Sequence, residues 1–259
     1  MSSFKFKHFE ILQGKSAMKV NTDGVLLGAW VSITGAELSM LDVGTGTGVI
    51  AIMAAQRHHF ASQTKSAGCH TTIRAIDIDP DSLDDARHNI SRCGFCSDSI
   101  SMETELIAFQ EMRPEVHGRY DLIFSNPPYF INSLKSADAQ RTNARHTDTL
   151  EQGEFIQAAL KLLNPGGKMA LILPVTEGEQ LLSKISFIGK RTPTGVPALH
   201  LHRLCKVHTT IKKPAKRWLI EFVLSENAPD VEYTQLVIMN DGEFSPEYRT
   251  LTGDFYLKF

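Results

Sequence analysis

Apolar residues along the 259-residue chain fall into two kinds of pattern. Short solid runs predict buried strands: Met40-Leu41-Asp42-Val43, Ile73-Arg74-Ala75-Ile76, Tyr120 to Phe124 and Lys168 to Leu173. Between them, helices are expected near 47–57, 80–93, 150–163 and 177–187. Short hydrophobic strands alternating with helices specify βαβ units and a parallel sheet covered on both faces. The helix from 80 has a clear start, because Asp79 can cap it, Pro80 suits the first helical position and acids fill the first turn. Gly94 fits its C-terminal cap. The stretch from Arg57 to Thr72 is polar and patternless, and reads as an enlarged surface loop with solvated histidines. From about 198, "LHLHRLCKVHTTI" and "KRWLIEFVL" alternate and flank "KKPAK", which predicts an antiparallel hairpin closing the sheet. The expected organisation is one main domain, 36–259, preceded by an N-terminal appendage, 1–35.

Composition narrows the picture. The chain is 42% hydrophobic, enough for one full α/β core. No run of about 18 apolar residues suggests a membrane span. "MSSFKFKHFE" lacks an apolar signal core, so a cytoplasmic protein is expected. The formal net charge is -2, so any surface for nucleic acid must be local. Cys93 and Cys96 have C-x-x-C spacing, and His200, His202 and Cys205 could complete a metal set. Only one such pair exists, and reduced thiols without a metal are expected.

"LDVGTGTGVIAIMAAQR" follows the first strand. Asp42 closes the strand, and Gly44, Gly46 and Gly48 allow a tight turn into a helix. Rossmann dinucleotide sites look similar, but the pattern here is D-x-G-x-G-x-G and no Walker lysine follows. It resembles the first motif of S-adenosylmethionine-dependent methyltransferases, which puts that Asp at the methionine end of the ligand. The second strand ends in "AIDID", where Asp77 can hydrogen-bond the hydroxyls of a ribose. The alternative is that Asp77 and Asp79 only cap the next helix. At the third strand tip Glu105 is the candidate, against an ordinary solvated charge; the Asp that many relatives use there is missing.

"FSNPPYF", residues 124 to 130, stops a strand with two prolines. It resembles the (D/N)-P-P-(Y/F/W) motif of methyltransferases that act on planar amino groups. An exocyclic amine is conjugated with its ring, so its lone pair is a poor nucleophile. Asn126 can offer its side-chain oxygen to one N–H, and the carbonyl of Pro127, held by Pro128, can accept the other. Two fixed acceptors favour a pyramidal nitrogen and stabilise its developing positive charge. Tyr129 can stack on the ring. The bland alternative is a strand-terminating turn with a packed tyrosine.

The tetrapeptide leaves adenine N6, cytosine N4 and a glutamine amide open, in RNA, DNA or protein, and a non-catalytic cofactor-binding subunit is a further alternative. "FKFKHFEILQGKSAMKVNTDGVLLGAW", "QRTNARHTDTL" and "EYRTLTGDFYLKF" narrow the choice. Together they resemble the bacterial N6-methyltransferases that modify adenine 37 of valine tRNA. The resemblance implies a Rossmann-like class I methyltransferase: an α/β, doubly wound, mostly parallel seven-stranded sheet with the C-terminal hairpin. It implies S-adenosylmethionine as cofactor, valine tRNA as partner and a monomer. It puts Lys19, Thr22 and Asp23 by the methionine end of the cofactor, and Arg141, Arg145 and His146 beside the target pocket. "RTNARH" and the patch of Lys212, Lys213, Lys216 and Arg217 can each bind phosphates, or merely solubilise a loop.

Overall fold

The computed structural model describes residues 2–62, 70–127 and 151–259. The chain opens with two short antiparallel strands, β1 (Ser3–Lys5) and β2 (Glu10–Leu12), then helix α1 (Thr22–Trp30). The alternating core follows: β3 (Ser39–Val43), α2 (Val49–Ser62), β4 (Thr71–Asp77), α3 (Pro80–Arg92) and β5 (Ile100–Leu106). A single turn, α4 (Pro114–His117), precedes β6 (Tyr120–Ser125). Next come α5 (Gln152–Leu162), β7 (Leu163–Pro174), α6 (Val175–Gly189), β8 (Ala198–Thr210) and β9 (Arg217–Ser225). β10 (Glu232–Asn240), β11 (Glu243–Phe244) and α7 (Pro246–Thr252) complete the described elements.

The large sheet has the order β11-β10-β8-β9-β7-β6-β3-β4-β5. Seven of these strands, β8 through β5, form the expected doubly wound sheet. β9 runs antiparallel to both β7 and β8, as the predicted hairpin requires. The expected count of seven is corrected to nine, because β10 adds parallel to β8 and carries β11 at the edge. β10 carries the apolar run Leu236-Val237-Ile238-Met239, but its first four residues are exposed and it lies beyond the hairpin that the alternating pattern marked.

Each central strand buries both faces. Along β6, Leu122 and Phe124 join the core layer of α1 and α2, while Ile123 joins that of α5. Along β7, Ala170 and Ile172 face the first layer and Leu171 and Leu173 the second. That two-sided burial is why these strands read as solid apolar runs. The expected loop from Arg57 is also corrected: α2 continues to Ser62 and β4 begins at Thr71. His58 is buried rather than solvated, its Nε2 lying 3.3 Å from the Thr71 hydroxyl. The start of α3 agrees with its reading. Asp79 accepts from the amides of Asp81 and Ser82, and Gly94 takes a positive φ of 77° just past the helix.

α1 is a core helix. Val25, Leu26 and Leu27 are fully buried. The residues before it are clamped to α3: the Asp85 carboxylate accepts from the Lys15 and Ser16 amides and the Ser16 hydroxyl. Asn89 accepts from the Leu12 amide and donates to the carbonyls of Leu12 and Thr47.

Candidate active site

The chain winds from β3 to β4 to β5 on one side and resumes at β6 on the other side of β3. The crevice outside these strand ends is a topological switch point, the place where open α/β sheets hold their ligands. The glycine loop lies there. Gly44, Gly46 and Gly48 have φ of 69°, 56° and 80°, which a side chain would strain. They serve different ends. A Cβ at Gly44 or Gly46 would meet nothing within 4 Å, so the backbone faces open space. A Cβ at Gly48 would press on Ala86 of α3 at 3.3 Å, so this glycine permits close packing.

The loop is stitched to the tip of β4. The Thr45 amide donates to the Ile76 carbonyl (2.9 Å), and the Gly46 amide donates to Asp77 Oδ2 (2.8 Å). Asp42 lies beneath, fully buried. Its Oδ2 accepts from the Thr45 hydroxyl (2.7 Å) and the Ala51 amide (3.1 Å), while Oδ1 has no partner among the described residues. Burial pushes the Asp42 carboxyl up to about 7, and the charge of Asp77 adds to the rise. A cation brought to this loop would relieve both carboxylates.

Asp77 is half-buried and not the cap of α3; Asp79 is. Asp77 Oδ1 accepts from the Asp79 amide at 2.9 Å, and burial raises the carboxyl above its ordinary value. Two apolar side chains that the sequence reading passed over stand exposed beside it. Ile78 follows Asp77, and Leu106 pairs with Asp77 across β4 and β5. They are 55% and 53% exposed. Apolar surfaces left bare at strand tips fit the faces of a planar ring. Glu105 is drawn into an ion pair with Arg74 (3.2 Å), lies 3.3 Å from His117 Nε2, and is not brought into this group.

On the other side of β3, the Ser125 hydroxyl donates to the Val43 carbonyl at 2.7 Å, locking the ends of β6 and β3 together. Asn126 follows at once, with its amide nitrogen 4.0 Å from the sulfur of Met18. Pro127 is buried behind it. Pro128, Tyr129, Arg141, Arg145 and His146 lie outside the described residues. The segment before α1 borders this corner through Met18, which is 45% exposed. The Lys19 ammonium donates to the Ser16 carbonyl at 2.9 Å and holds that segment in a loop. Thr22 opens α1 behind the Asn21 cap, and Asp23 accepts from Arg217 Nε at 2.8 Å.

Residues 35–219 match a family described as a methyltransferase domain. Over 258 residues the chain is 42% identical to the tRNA1(Val) (adenine(37)-N6)-methyltransferase of Trichodesmium erythraeum, covering 100% of this chain and 99% of that protein. It is 39% identical to the protein of that name from Parabacteroides distasonis, covering 98% of each. The chain belongs to this methyltransferase family. Among solved structures, a predicted O-methyltransferase from Agrobacterium tumefaciens superposes with TM-score 0.61 at 14% identity, over 90% of this chain and 96% of that one. P. horikoshii TYW2 in complex with MeSAdo superposes with TM-score 0.55 at 13% identity, over 87% and 72%. Both share the class I methyltransferase fold.

For a member of this family the hairpin is well placed. Arg217 at the start of β9 pairs with Pro174 at the end of β7, so the turn of Lys212 and Lys213 lies at the sheet edge that carries Asp42 and Asn126. Lys212, Lys213 and Lys216 are exposed. Among the described residues, no three His, Cys, Asp or Glu side chains group to hold a metal, and no helix is long and apolar enough to cross a membrane.

One expected result concerns Asp77. Asp77→Ala weakens S-adenosylmethionine binding by about 1.5–3 kcal/mol, the range for charge-assisted hydrogen bonds. Calorimetric titration of the folded variant measures it. Unchanged affinity would mean that Asp77 serves only to pin Gly46 and Asp79.

Proposed function

We propose that this protein transfers a methyl group from S-adenosylmethionine to N6 of adenine 37 in a valine tRNA. The observation that carries the reading is the placement of Asn126 and Pro127 at the end of β6, hydrogen-bonded through Ser125 to the strand that leads into the glycine loop. The end-to-end identity to relatives of that name supports the choice of base and RNA.

The described residues fit the cofactor. Open space lies over Gly44 and Gly46, an unpartnered carboxylate oxygen lies at Asp42, and bare apolar surface flanks Asp77. When bound, S-adenosylmethionine supplies an electrophilic methyl on a sulfonium. Asp42 offers negative charge near the cationic methionine end, Asp77 an acceptor for ribose hydroxyls, and Ile78 and Leu106 apolar walls for an adenine ring. Asn126 Oδ1 and the Pro127 carbonyl accept the two N6–H groups of the target, freeing its lone pair for attack. The departing proton needs no strong base, because the methylated ammonium is acidic. Residues 1–35 act as a cover over the crevice, held down by Asp85 and Asn89. We place the protein in the cytoplasm with its RNA.

The test is transfer of a labelled methyl group to separated tRNA isoacceptors. Valine tRNA with adenine 37 is labelled, and the same tRNA with guanine at 37 is not. Equal labelling of both, or none of either, refutes the reading. The basic turn yields a second expected result. Replacing Lys212 and Lys213 together by Ala weakens tRNA binding and flattens its salt dependence by about two in log–log slope. The rate at saturating tRNA stays near wild type, because phosphate contacts position without reacting. Filter binding across a salt series, paired with single-turnover methylation, measures both. An unaltered slope would show that the RNA takes another path.

A further inference from the structure

The sheet edge that carries Asn126 continues past the crevice. β8 and β10 are parallel, and both run antiparallel to β9, so their last residues reach the edge where Arg217 stands. There a cavity of about 730 Å³ opens between β1, the ends of β8 and β10, and the C-terminal residues. Its walls are aromatic. Phe244 stacks on Tyr248 with ring centroids 5.1 Å apart, Phe259 meets Phe244 edge-on at 5.1 Å, and Tyr256 and Phe4 extend the surface. Its rim is cationic. Lys5, Lys216 and Lys258 are exposed there, and Arg217 is fixed by Asp23 at the start of α1.

Aromatic faces inside a ring of cations suit a nucleobase with its phosphate. In a chain of net charge -2, three exposed lysines at the rim of one aromatic cavity give it a local positive field. From β6, β8 is three strand steps away and β10 four, roughly 14–19 Å at ~4.8 Å per step. The occupant is therefore not the base being methylated. We propose that this cavity takes a second, unstacked nucleotide of the same tRNA, a few positions along the strand from the target. Its base lies against Phe244 and its phosphate at Lys258 and Lys216. The inference rests on the tRNA reading above and adds to it a subsite that sets the register of the RNA.

The test uses a valine anticodon stem–loop RNA and the full chain. Phe244, 38% exposed on a two-residue strand, is replaced by Ala and by Tyr. Phe244→Ala weakens RNA binding about tenfold, the scale of one lost base stack, while Phe244→Tyr binds as wild type. Lys258→Glu, at an exposed position, weakens binding without a change in melting temperature. An abasic nucleotide at one position a few nucleotides from the target costs wild type the same loss and costs Phe244→Ala nothing more. Wild-type affinity in both Phe244→Ala and Lys258→Glu overturns the inference, as does an abasic loss that adds to that of Phe244→Ala. Failure of the wild type to methylate the stem–loop would instead defeat the tRNA reading itself, and this subsite with it.

Discussion

Asn126→Ala lowers methyl transfer about 100-fold or more and leaves cofactor affinity near wild type. The side-chain oxygen is proposed to hold one N6–H of the target, an interaction that strengthens as the nitrogen becomes pyramidal and positive. Removing a fixed polar partner of a developing charge typically costs about 10²–10³ in turnover. The cofactor is unaffected because its proposed contacts come from the glycine loop and Asp77, across the strand tips. The variant should fold. Among the described residues, the Asn126 side chain has one hydrogen-bonding partner, the sulfur of Met18 at 4.0 Å. The corner stays in place through the Ser125 hydroxyl and the Val43 carbonyl. Single-turnover methylation and calorimetric titration separate the two effects. A variant that keeps most of its turnover would remove Asn126 from the chemistry; one that loses cofactor binding in parallel would make it structural.

Glu221→Ala costs about 3 kcal/mol of stability. Glu221 is fully buried in β9, between β7 and β8. Its carboxylate accepts from the Ser32 amide (3.0 Å) and the Ser32 hydroxyl (2.8 Å), just past α1. His202 Nδ1 is 3.1 Å away, and the Lys168 and Arg203 nitrogens are each at 3.8 Å. Alanine leaves the Ser32 donors without their acceptor and the cationic side chains facing one another. The cations keep some exposure, so the loss sits at the low end of the range for broken buried pairs. For a chain of this size it lowers the Tm by roughly 6–12 °C. Glu221→Gln keeps one acceptor for Ser32 and loses less. Thermal and urea unfolding test the pair. An alanine variant as stable as wild type would show that the Glu221–Ser32 contact does not hold the end of α1.

Much of this protein was legible before any coordinates. The two-sided burial of β3, β4, β6 and β7 appears as solid apolar runs, and a parallel sheet follows from runs of that kind alternating with helices. The caps of α3 were readable because capping is local: Asp79, Pro80 and Gly94 act within a few residues of themselves. The glycine loop was readable for the same reason, and so was the end of β6 at Ser125, just before Asn126 and Pro127, since backbone conformation follows from a few adjacent residues.

Tertiary structure decided what depends on residues far apart in sequence. Helix α1 was missed because "TDGVLLGAW" is apolar all round and holds two glycines; burial by α2 and the sheet makes it a helix. α2 overran the predicted loop because His58 is accepted into the interior beside Thr71, a partner 13 residues away. β10 holds the short apolar run Leu236 to Met239 after four exposed residues, and it is a strand of this sheet because β8 offers it an open edge. The roles of the acids were also beyond local reading. Asp77 gains Gly46 as a partner 31 residues away, Glu105 is captured by Arg74, and Asp23 is joined to Arg217 across 194 residues. The sequence by itself determined strand burial, helix caps and the glycine loop, because those follow from spacing and short-range sterics. Which charges are paired within the protein, and that residues from the first and last strands and helices build an aromatic cavity at the sheet edge that carries Asn126, were decided only when the sheet brought those residues within contact distance.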